Sequence, residues 1–171
     1  MRRMVQHMRP YYSDEKYRIT KRTVAILPCF DMMKQSQIIF EDGTEISTPL
    51  RPYQLLQLSC RQYNSSIEER IFIAKRVAGV KGKVPVVIEP TSGLVFFPTK
   101  SPKREDCEWY AWSHVREIVT VEGNPNGLIV TTDGRRIQTN ATAYVLKNQI
   151  KATGELVARF QQLNMSPVLE S

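Results

Sequence analysis

Residues 36–56 read SQIIFEDGTEISTPLRPYQLL, and residues 127–147 follow the same pattern as GLIVTTDGRRIQTNATAYVLK. In each stretch an apolar run leads to an Asp-Gly pair, a second short run and a segment entered near a tyrosine. Asp-Gly between two apolar runs predicts a β-hairpin, because glycine adopts positive φ at no steric cost. The sequence therefore predicts two units, each a hairpin followed by a helix.

The two stretches align at an offset of 91, which superimposes Asp42-Gly43 on Asp133-Gly134. Identical pairs at this offset are Ile38 and Ile129, Ile46 and Ile137, Thr48 and Thr139, Tyr53 and Tyr144, and Leu55 and Leu146. We interpret the pattern as an internal repeat, since fixed-period similarity is typical of paired structural units. Two unrelated hairpins that converged on similar apolar spacing are the alternative.

The segment between the two units predicts further helices and strands. Pro52 suits the first turn of a helix. Ser65, followed three residues later by Glu68, predicts a capping box for a second helix that runs to about Ala78. Apolar runs at 86–88 and 94–97 predict strands, and residues 142 to about 163 predict a final helix with Gly154 as its weak point.

The predicted fold class is α+β. Two related β-hairpin-plus-helix units form a mixed, mainly antiparallel β structure with packed helices. We expect a flexible basic arm at 1–16, one domain at 17–163 and a short tail at 164–171. Within the domain, the pseudo-repeats cover about 17–63 and 109–163, and a basic helix and β insert covers 64–108.

Composition favours a globular intracellular protein without a cofactor. The chain has 171 residues, 42% of them hydrophobic, which is typical of a packed core. Its apolar runs are far shorter than the ~20 residues that span a bilayer, so no membrane partner is expected. Cys29, Cys60 and Cys107 are odd in number and form no CxxC pair, which favours buried reduced thiols.

Positive charge is concentrated in two segments. The net charge is +7. Residues 1–22 hold seven basic side chains against two acidic ones, and residues 61–104 hold nine against three, so these segments carry +5 and +6 and the remainder −4. Such concentration suits a protein that neutralises several phosphates together. A solvated basic face, or a patch for an anionic lipid or an acidic protein, is the alternative.

Residues 52–98 and the segment after them carry the most specific motifs, and they resemble the ComK family of competence transcription factors. The motifs are Ser59-Cys60-Arg61 with Tyr63, Ser65-Ser66 followed by Arg70 and Lys75-Arg76, Lys83-Val84-Pro85 before Val86-Val87-Ile88, and Phe97-Pro98-Thr99 leading to Cys107, Trp109 or Trp112, and His114-Val115. The resemblance covers about residues 17–160. It departs from the family pattern at Val84, where a proline is expected, and in the spacing between Ser66 and Arg70.

The resemblance implies a transcription activator of DNA-uptake genes that binds paired A/T-rich boxes of double-stranded DNA, largely through the minor groove. It also implies a homodimer or homotetramer in the bacterial cytoplasm and nucleoid. A Clp-protease adaptor and RNA polymerase are the implied protein partners, although the short tail puts contacts made by a longer C-terminus in doubt. The candidate DNA-binding residues are Arg61, Ser65, Ser66, Arg70, Lys75, Arg76, Lys81, Lys83, Lys100, Lys103 and Arg104.

Other function classes have weaker support. Cys60 with His114 is the best nucleophile and base pair for an enzyme, but no motif joins the two residues, and we expect no catalysis. His7, Cys29, Cys60, Cys107 and His114 lack the short paired spacing of zinc ligands, so no metal is expected. The stronger rival is a protein-interaction module whose basic patch docks an acidic regulatory partner.

Overall fold

The computed structural model describes residues 18–79 and 82–170. Its strands are β1 (Thr23–Pro28), β2 (Ser36–Phe40), β3 (Glu45–Thr48), β4 (Val86–Glu89), β5 (Leu94–Pro98), β6 (Trp109–Ala111), β7 (Val115–Val119), β8 (Leu128–Thr131) and β9 (Arg136–Gln138). Its helices are α1 (Pro52–Gln62), α2 (Ile67–Ala78) and α3 (Ala143–Glu170), with a 3-10 turn at Trp112–His114. The predicted α+β class is confirmed.

The strands form two antiparallel sheets. The larger sheet has six strands in the order β3-β2-β1-β6-β5-β4, and the smaller has three in the order β7-β8-β9. All the strand pairs that the described residues form are antiparallel. The short 3-10 turn carries the chain from β6 of the larger sheet into β7 of the smaller sheet.

Both faces of the larger sheet are buried. Successive residues of one strand join different apolar clusters: Phe96 packs with α1 and the start of α2, whereas Phe97 packs with the smaller sheet and the start of α3. Trp109 and Tyr110 of β6 divide in the same way. Side chains alternate across a strand, so a strand that is covered on both sides must be apolar at every position. This requirement explains the continuous apolar runs in β4 and β5.

The two Asp-Gly turns have the same geometry. Gly43 has φ +86° and Gly134 has φ +89°, values that favour glycine. The Gly43 N–H donates to the Phe40 carbonyl at 3.0 Å, and the Gly134 N–H donates to the Thr131 carbonyl at 2.9 Å. The predicted hairpins are therefore present at both positions.

Threonines after the hairpins also make equivalent contacts. Thr48 Oγ1 accepts from the Leu50 N–H at 3.1 Å, and Thr139 Oγ1 accepts from the Ala141 N–H at 3.2 Å. Both threonines are buried, so each hydroxyl satisfies a backbone donor just before a helix. These shared hydrogen bonds are consistent with an internal repeat, but they do not establish a duplication, which stays a prediction.

A single arginine joins the two hairpins. Arg135, in the second Asp-Gly turn, donates from Nη2 to the carbonyl of Phe40 in the first turn at 2.9 Å. Its Nε donates to Asp133 at 3.0 Å, and its Nη1 lies close to Gly43. The guanidinium thus connects the tips of the larger and smaller sheets.

Two details of the helices differ from prediction. The N-cap of α2 is Ser66, whose Oγ accepts from the Glu69 N–H at 3.1 Å, so the predicted Ser65 cap is wrong by one residue. The final helix continues through Gly154 to Glu170. A Cβ on Gly154 would lie 3.3 Å from Trp112, so this glycine permits the close approach of the indole ring.

Candidate nucleic-acid interface

The connection between α1 and α2 brings several predicted residues into one place. The Ser65 N–H donates to the Cys60 carbonyl at 3.1 Å, and Asn64 adopts a left-handed φ of 57°. This tight turn leaves Arg61 exposed on the last turn of α1, beside the start of α2. We call the residues at this turn and along α2, namely Arg61, Ser65, Ser66, Arg70, Lys75 and Arg76, the α1–α2 corner; Lys75 and Arg76 lie at the end of α2 that is farther from the turn.

The cations of the α1–α2 corner are not neutralised within the described chain. None of the ion pairs between described residues includes Arg61, Arg70, Lys75 or Arg76. Glu68 and Glu69 are the acidic residues in the first turn of α2, but neither forms an ion pair with Arg61. Instead, the Glu68 carboxylate accepts from the Tyr53 hydroxyl and Glu69 accepts from the Ser65 hydroxyl, each at 3.3 Å.

Arg70 is the most constrained of these cations. Its side chain is half-buried, and its Nε is buried without a hydrogen-bond partner in the described structure. Unpaired buried donors are uncommon in folded proteins because they lose their hydrogen bonds to water. Because Nε is shielded from solvent, an external acceptor such as a phosphate oxygen would reach this guanidinium only through its terminal amino groups.

Lys75 and Arg76 lie exposed in the last turn of α2. The Arg76 guanidinium stacks over Phe72, 5.8 Å from the ring centroid. Arg159 of α3 donates to the Val77 carbonyl at 3.1 Å and so adds a third cation at this helix end. Basic side chains in the last turn of a helix interact favourably with the helix dipole. Lys75 and Arg76 are in this position and also face solvent.

The loop between β5 and β6, residues 99–108, carries Lys100, Lys103 and Arg104, and we call it the basic loop. Its base is closed by Thr99 and Glu108, whose backbone groups bond at 2.9 Å. Lys100 is half-buried and Lys103 is exposed. Arg104 makes two 2.8 Å hydrogen bonds to Asp106, which raise the pKa of Arg104 and lower that of Asp106. Arg104 therefore shares its charge with a carboxylate.

Tyr53 connects the basic loop to the α1–α2 corner. Lys103 Nζ lies 5.9 Å from the centroid of the Tyr53 ring, and the hydroxyl of the same ring contacts Glu68 of α2. A single tyrosine side chain therefore lies between Lys103 and the start of α2.

Lys83 lies beside α3, where its carbonyl accepts from Gln149 at 3.0 Å. Lys81 and the N-terminal arm at 1–16 lie outside the described residues.

The exposed side of α3 was not singled out from the sequence. Tyr144 is 75% exposed, and Lys147 and Lys151 are exposed beside it. Their spacing places them on one face of a helix. The sequence signal was present, because these polar residues lie opposite the buried Leu146. The predicted residues all lie in the basic segment 61–104.

Cys60 and Cys107 are buried free thiols, and the His114 ring contacts a backbone carbonyl. Burial raises the pKa of Cys60 to about 11 and that of Cys107 to about 12, which keeps both as thiols near neutral pH. His114 Nε2 lies 2.6 Å from the Lys21 carbonyl. Across the described residues, no cluster of three His, Cys, Asp or Glu side chains is placed to hold a metal. No described helix is long and apolar enough to cross a membrane.

Glu108 offers a pH-dependent test of the base of the loop. Its Oε1 accepts from the Tyr110 hydroxyl and the Asn140 N–H, but burial outweighs these contacts and raises the pKa of Glu108. The folded state thus favours the protonated carboxyl, and the stability that this gives is lost as pH rises through the folded pKa. Glu108→Gln keeps an oxygen acceptor and stays neutral.

We expect the free energy of unfolding of Glu108→Gln to rise relative to that of the wild type as pH goes from about 4 to about 7. Urea titrations at four pH values measure this difference. Glu122→Gln, which removes an exposed carboxylate, is the matched control and should show a much smaller trend. A flat difference for Glu108→Gln would contradict the assignment.

Comparison with known proteins identifies the family. A family model described as ComK protein matches residues 14–164, and the chain belongs to this family. Over 147 residues it is 26% identical to the competence transcription factor of Bacillus subtilis (strain 168), which covers 86% of this chain and 76% of the relative. No solved structure matches the chain. The resemblance predicted from the motifs is confirmed.

Proposed function

We propose that this chain is a DNA-binding transcription activator of competence genes. Family membership and the name of the Bacillus subtilis relative support this function. The structural observation that carries it is the α1–α2 corner, where four basic side chains have no carboxylate partner among the ion pairs of the described residues. Cations without internal partners contribute most to phosphate binding, because their charge is not already screened by the fold.

The proposed target is a pair of A/T-rich boxes, contacted largely through the minor groove. A narrow A/T-rich minor groove has enhanced negative potential and favours arginine, and Arg61, Arg70 and Arg76 supply that side chain. Ser66 accepts from the Glu69 N–H, so its hydroxyl proton is assigned to a phosphate; the Ser65 hydroxyl donates to the Glu69 carboxylate and would have to exchange that partner to contact a phosphate. Lys75, Lys81, Lys83, Lys100, Lys103 and Arg104 are proposed to contact the flanking backbone.

The remaining features of the proposal follow the family. We propose a homodimer or homotetramer, since two boxes are most simply read by symmetric copies. RNA polymerase and a Clp-protease adaptor are the proposed protein partners, and the bacterial cytoplasm and nucleoid are the proposed location. No catalytic step or cofactor forms part of this proposal.

The experiment that tests DNA binding is an anisotropy titration of the full chain on duplexes that carry two A/T boxes. We expect specific binding whose log–log salt slope is about −4 or steeper, because each neutralised phosphate contributes roughly −0.9. A mixed-sequence duplex of equal length is the control. Absence of duplex binding at low salt would contradict the proposal.

Groove choice is tested by base-pair substitution within the boxes. An inosine–cytosine pair presents the A·T pattern in the minor groove, because it lacks the guanine N2 donor, but it differs from A·T in the major groove. We expect inosine–cytosine boxes to bind within about threefold of A·T boxes and G·C boxes to bind at least tenfold more weakly. Equal losses for both substitutions would assign recognition to the major groove.

A protein-interaction module remains the second candidate function, and one observation favours it. Phe72 is 59% exposed and lies beside Ile73 and Arg76 on the outer face of α2. Exposed apolar side chains next to cations are common at protein interfaces. If an acidic protein partner binds this face while A/T duplex does not bind the chain at all, the second candidate replaces the first.

A further inference from the structure

A cavity separates the β1–β2 loop, the start of α1 and the basic loop. Its volume is about 310 Å³, and its apolar walls are formed by Phe30, Met32, Pro52, Tyr53, Pro102 and Trp109. Cations stand at its rim, with Arg51, Lys103 and Arg104 among the lining residues. A concave apolar site with a few polar groups at its edge is the usual form of a binding site.

The β1–β2 loop presents apolar side chains to solvent beside this cavity. Phe30 is 81% exposed, Met32 91% and Met33 76%. The loop is held in place, since the Cys29 N–H donates to the Gln35 carbonyl at 2.9 Å and the Met33 N–H donates to Asp31 at 2.8 Å. Contiguous exposed apolar groups mark interaction sites, and methionine adapts to varied partner surfaces.

Of the three cations at the rim, one is unpaired. Lys103 stacks on Tyr53 and appears in none of the ion pairs between described residues. Arg51 pairs with Glu105 at 3.5 Å, and Arg104 donates to Asp106 at 2.8 Å. The Asp31 carboxylate accepts from the Met33 N–H. A matching ligand has an apolar body and supplies acceptors or negative charge.

We propose that this cavity docks a short segment of a partner protein in which an aromatic or leucine side chain is flanked by acidic residues. The apolar side chain enters between Tyr53, Trp109 and the β1–β2 loop, as anchors do in protein interfaces. A flanking carboxylate pairs with Lys103. This site lies beside the α1–α2 corner and does not depend on DNA binding.

The test is a peptide array probed with the full chain. Each ten-residue peptide has Phe, Trp, Leu or Ser at its centre, flanked on both sides by two Asp, two Ser or two Lys residues. We expect Asp-flanked peptides with a Phe, Trp or Leu centre to retain at least tenfold more protein than Ser-centred or Lys-flanked peptides. No such preference would overturn the proposal.

Variants assign the signal to the cavity. Lys103→Glu and Phe30→Ser should each lower retention at least fivefold. Arg136→Glu makes the same charge change as Lys103→Glu on the smaller sheet and should retain the peptides. Equal losses for these two charge variants would overturn the proposal. Lys103, Phe30 and Arg136 are exposed, so all three variants should fold as the wild type does.

Two alternatives to a partner peptide in the cavity predict different experimental results. A second copy of this chain could insert its own Phe30–Met33 segment. Sedimentation that shows self-association lost in Phe30→Ser, without peptide retention by the wild type, would assign the cavity to that contact and overturn the proposal. If A/T duplex displaces the peptides while the Lys103→Glu variant still retains them, the peptides bind outside the cavity. This result would also overturn the proposal.

Discussion

Replacing Arg61, Arg70, Lys75 and Arg76 together with alanine is expected to lower affinity for an A/T-box duplex about ten-thousandfold near 0.1 M salt. Each phosphate contact releases about 0.9 counterion, so each contact is worth roughly tenfold at this salt concentration. We expect the log–log salt slope to become shallower by about three to four. Anisotropy titrations from 50 to 300 mM salt measure both quantities.

A second variant with four alanine replacements is the matched control for this prediction. Arg116, Arg136, Lys147 and Lys151 are exposed on the smaller sheet and α3, and replacing them with alanine removes the same number of positive charges. We expect this variant to lose about tenfold or less, through the long-range field alone. If both variants lose affinity equally, binding depends on net charge and not on the α1–α2 corner.

Folding must be separated from binding in the corner variant. Arg70 is half-buried, whereas Arg61, Lys75 and Arg76 are exposed. The triple variant that keeps Arg70 should therefore melt close to the wild type, because surface substitutions change stability by about 0.5 kcal/mol or less. It should still lose about a thousandfold in affinity. A triple variant that folds normally and binds normally would contradict the assignment of this surface.

Leu55→Ala and Leu146→Ala are each expected to reduce the free energy of unfolding by about 2 to 5 kcal/mol. The two leucines lie at equivalent places after the two hairpins and are almost fully buried in different apolar clusters. Each replacement removes apolar contacts and leaves a cavity that the surrounding backbone cannot fully close. Urea unfolding at 25 °C measures the change through the midpoint, with an unchanged slope.

Leu163→Ala is the control for the leucine variants, because this side chain is more than half exposed. Its expected loss is about 0.5 kcal/mol or less. Similar losses for all three leucines would mean that burial does not determine their contribution. A loss at only one of Leu55 and Leu146 would show that the two units differ in how tightly each helix is held.

Local signals were sufficient for the hairpins and for the start of α1. The glycines of both Asp-Gly turns require positive φ, and Pro52 lacks the N–H that the first turn of a helix cannot use. The N-cap of α2 was not fixed locally, because Ser65 and Ser66 both offer a hydroxyl. Burial of Ile67 in the core sets the helix register and makes Ser66 the cap.

The candidate site depended more on contacts between distant residues. Lys103 lies over the ring of Tyr53, fifty positions away in the sequence. Trp109 and Phe30, which are farther apart in the sequence, line the same cavity. No periodicity encodes such pairs, since they arise from strand order in the larger sheet. The excess charge of residues 61–104 predicted a basic surface, but the pairing of Arg104 with Asp106 required the folded loop.

The hydrogen bond from Arg135 to the Phe40 carbonyl has a consequence for how two DNA boxes could be spanned. It links the two hairpin tips and so opposes a change in the angle between the sheets. One chain would therefore hold its α1–α2 corner in a single orientation relative to the smaller sheet. Differences in box spacing from one promoter to another would have to be absorbed by bending and twisting of the duplex, or at the junction between neighbouring copies.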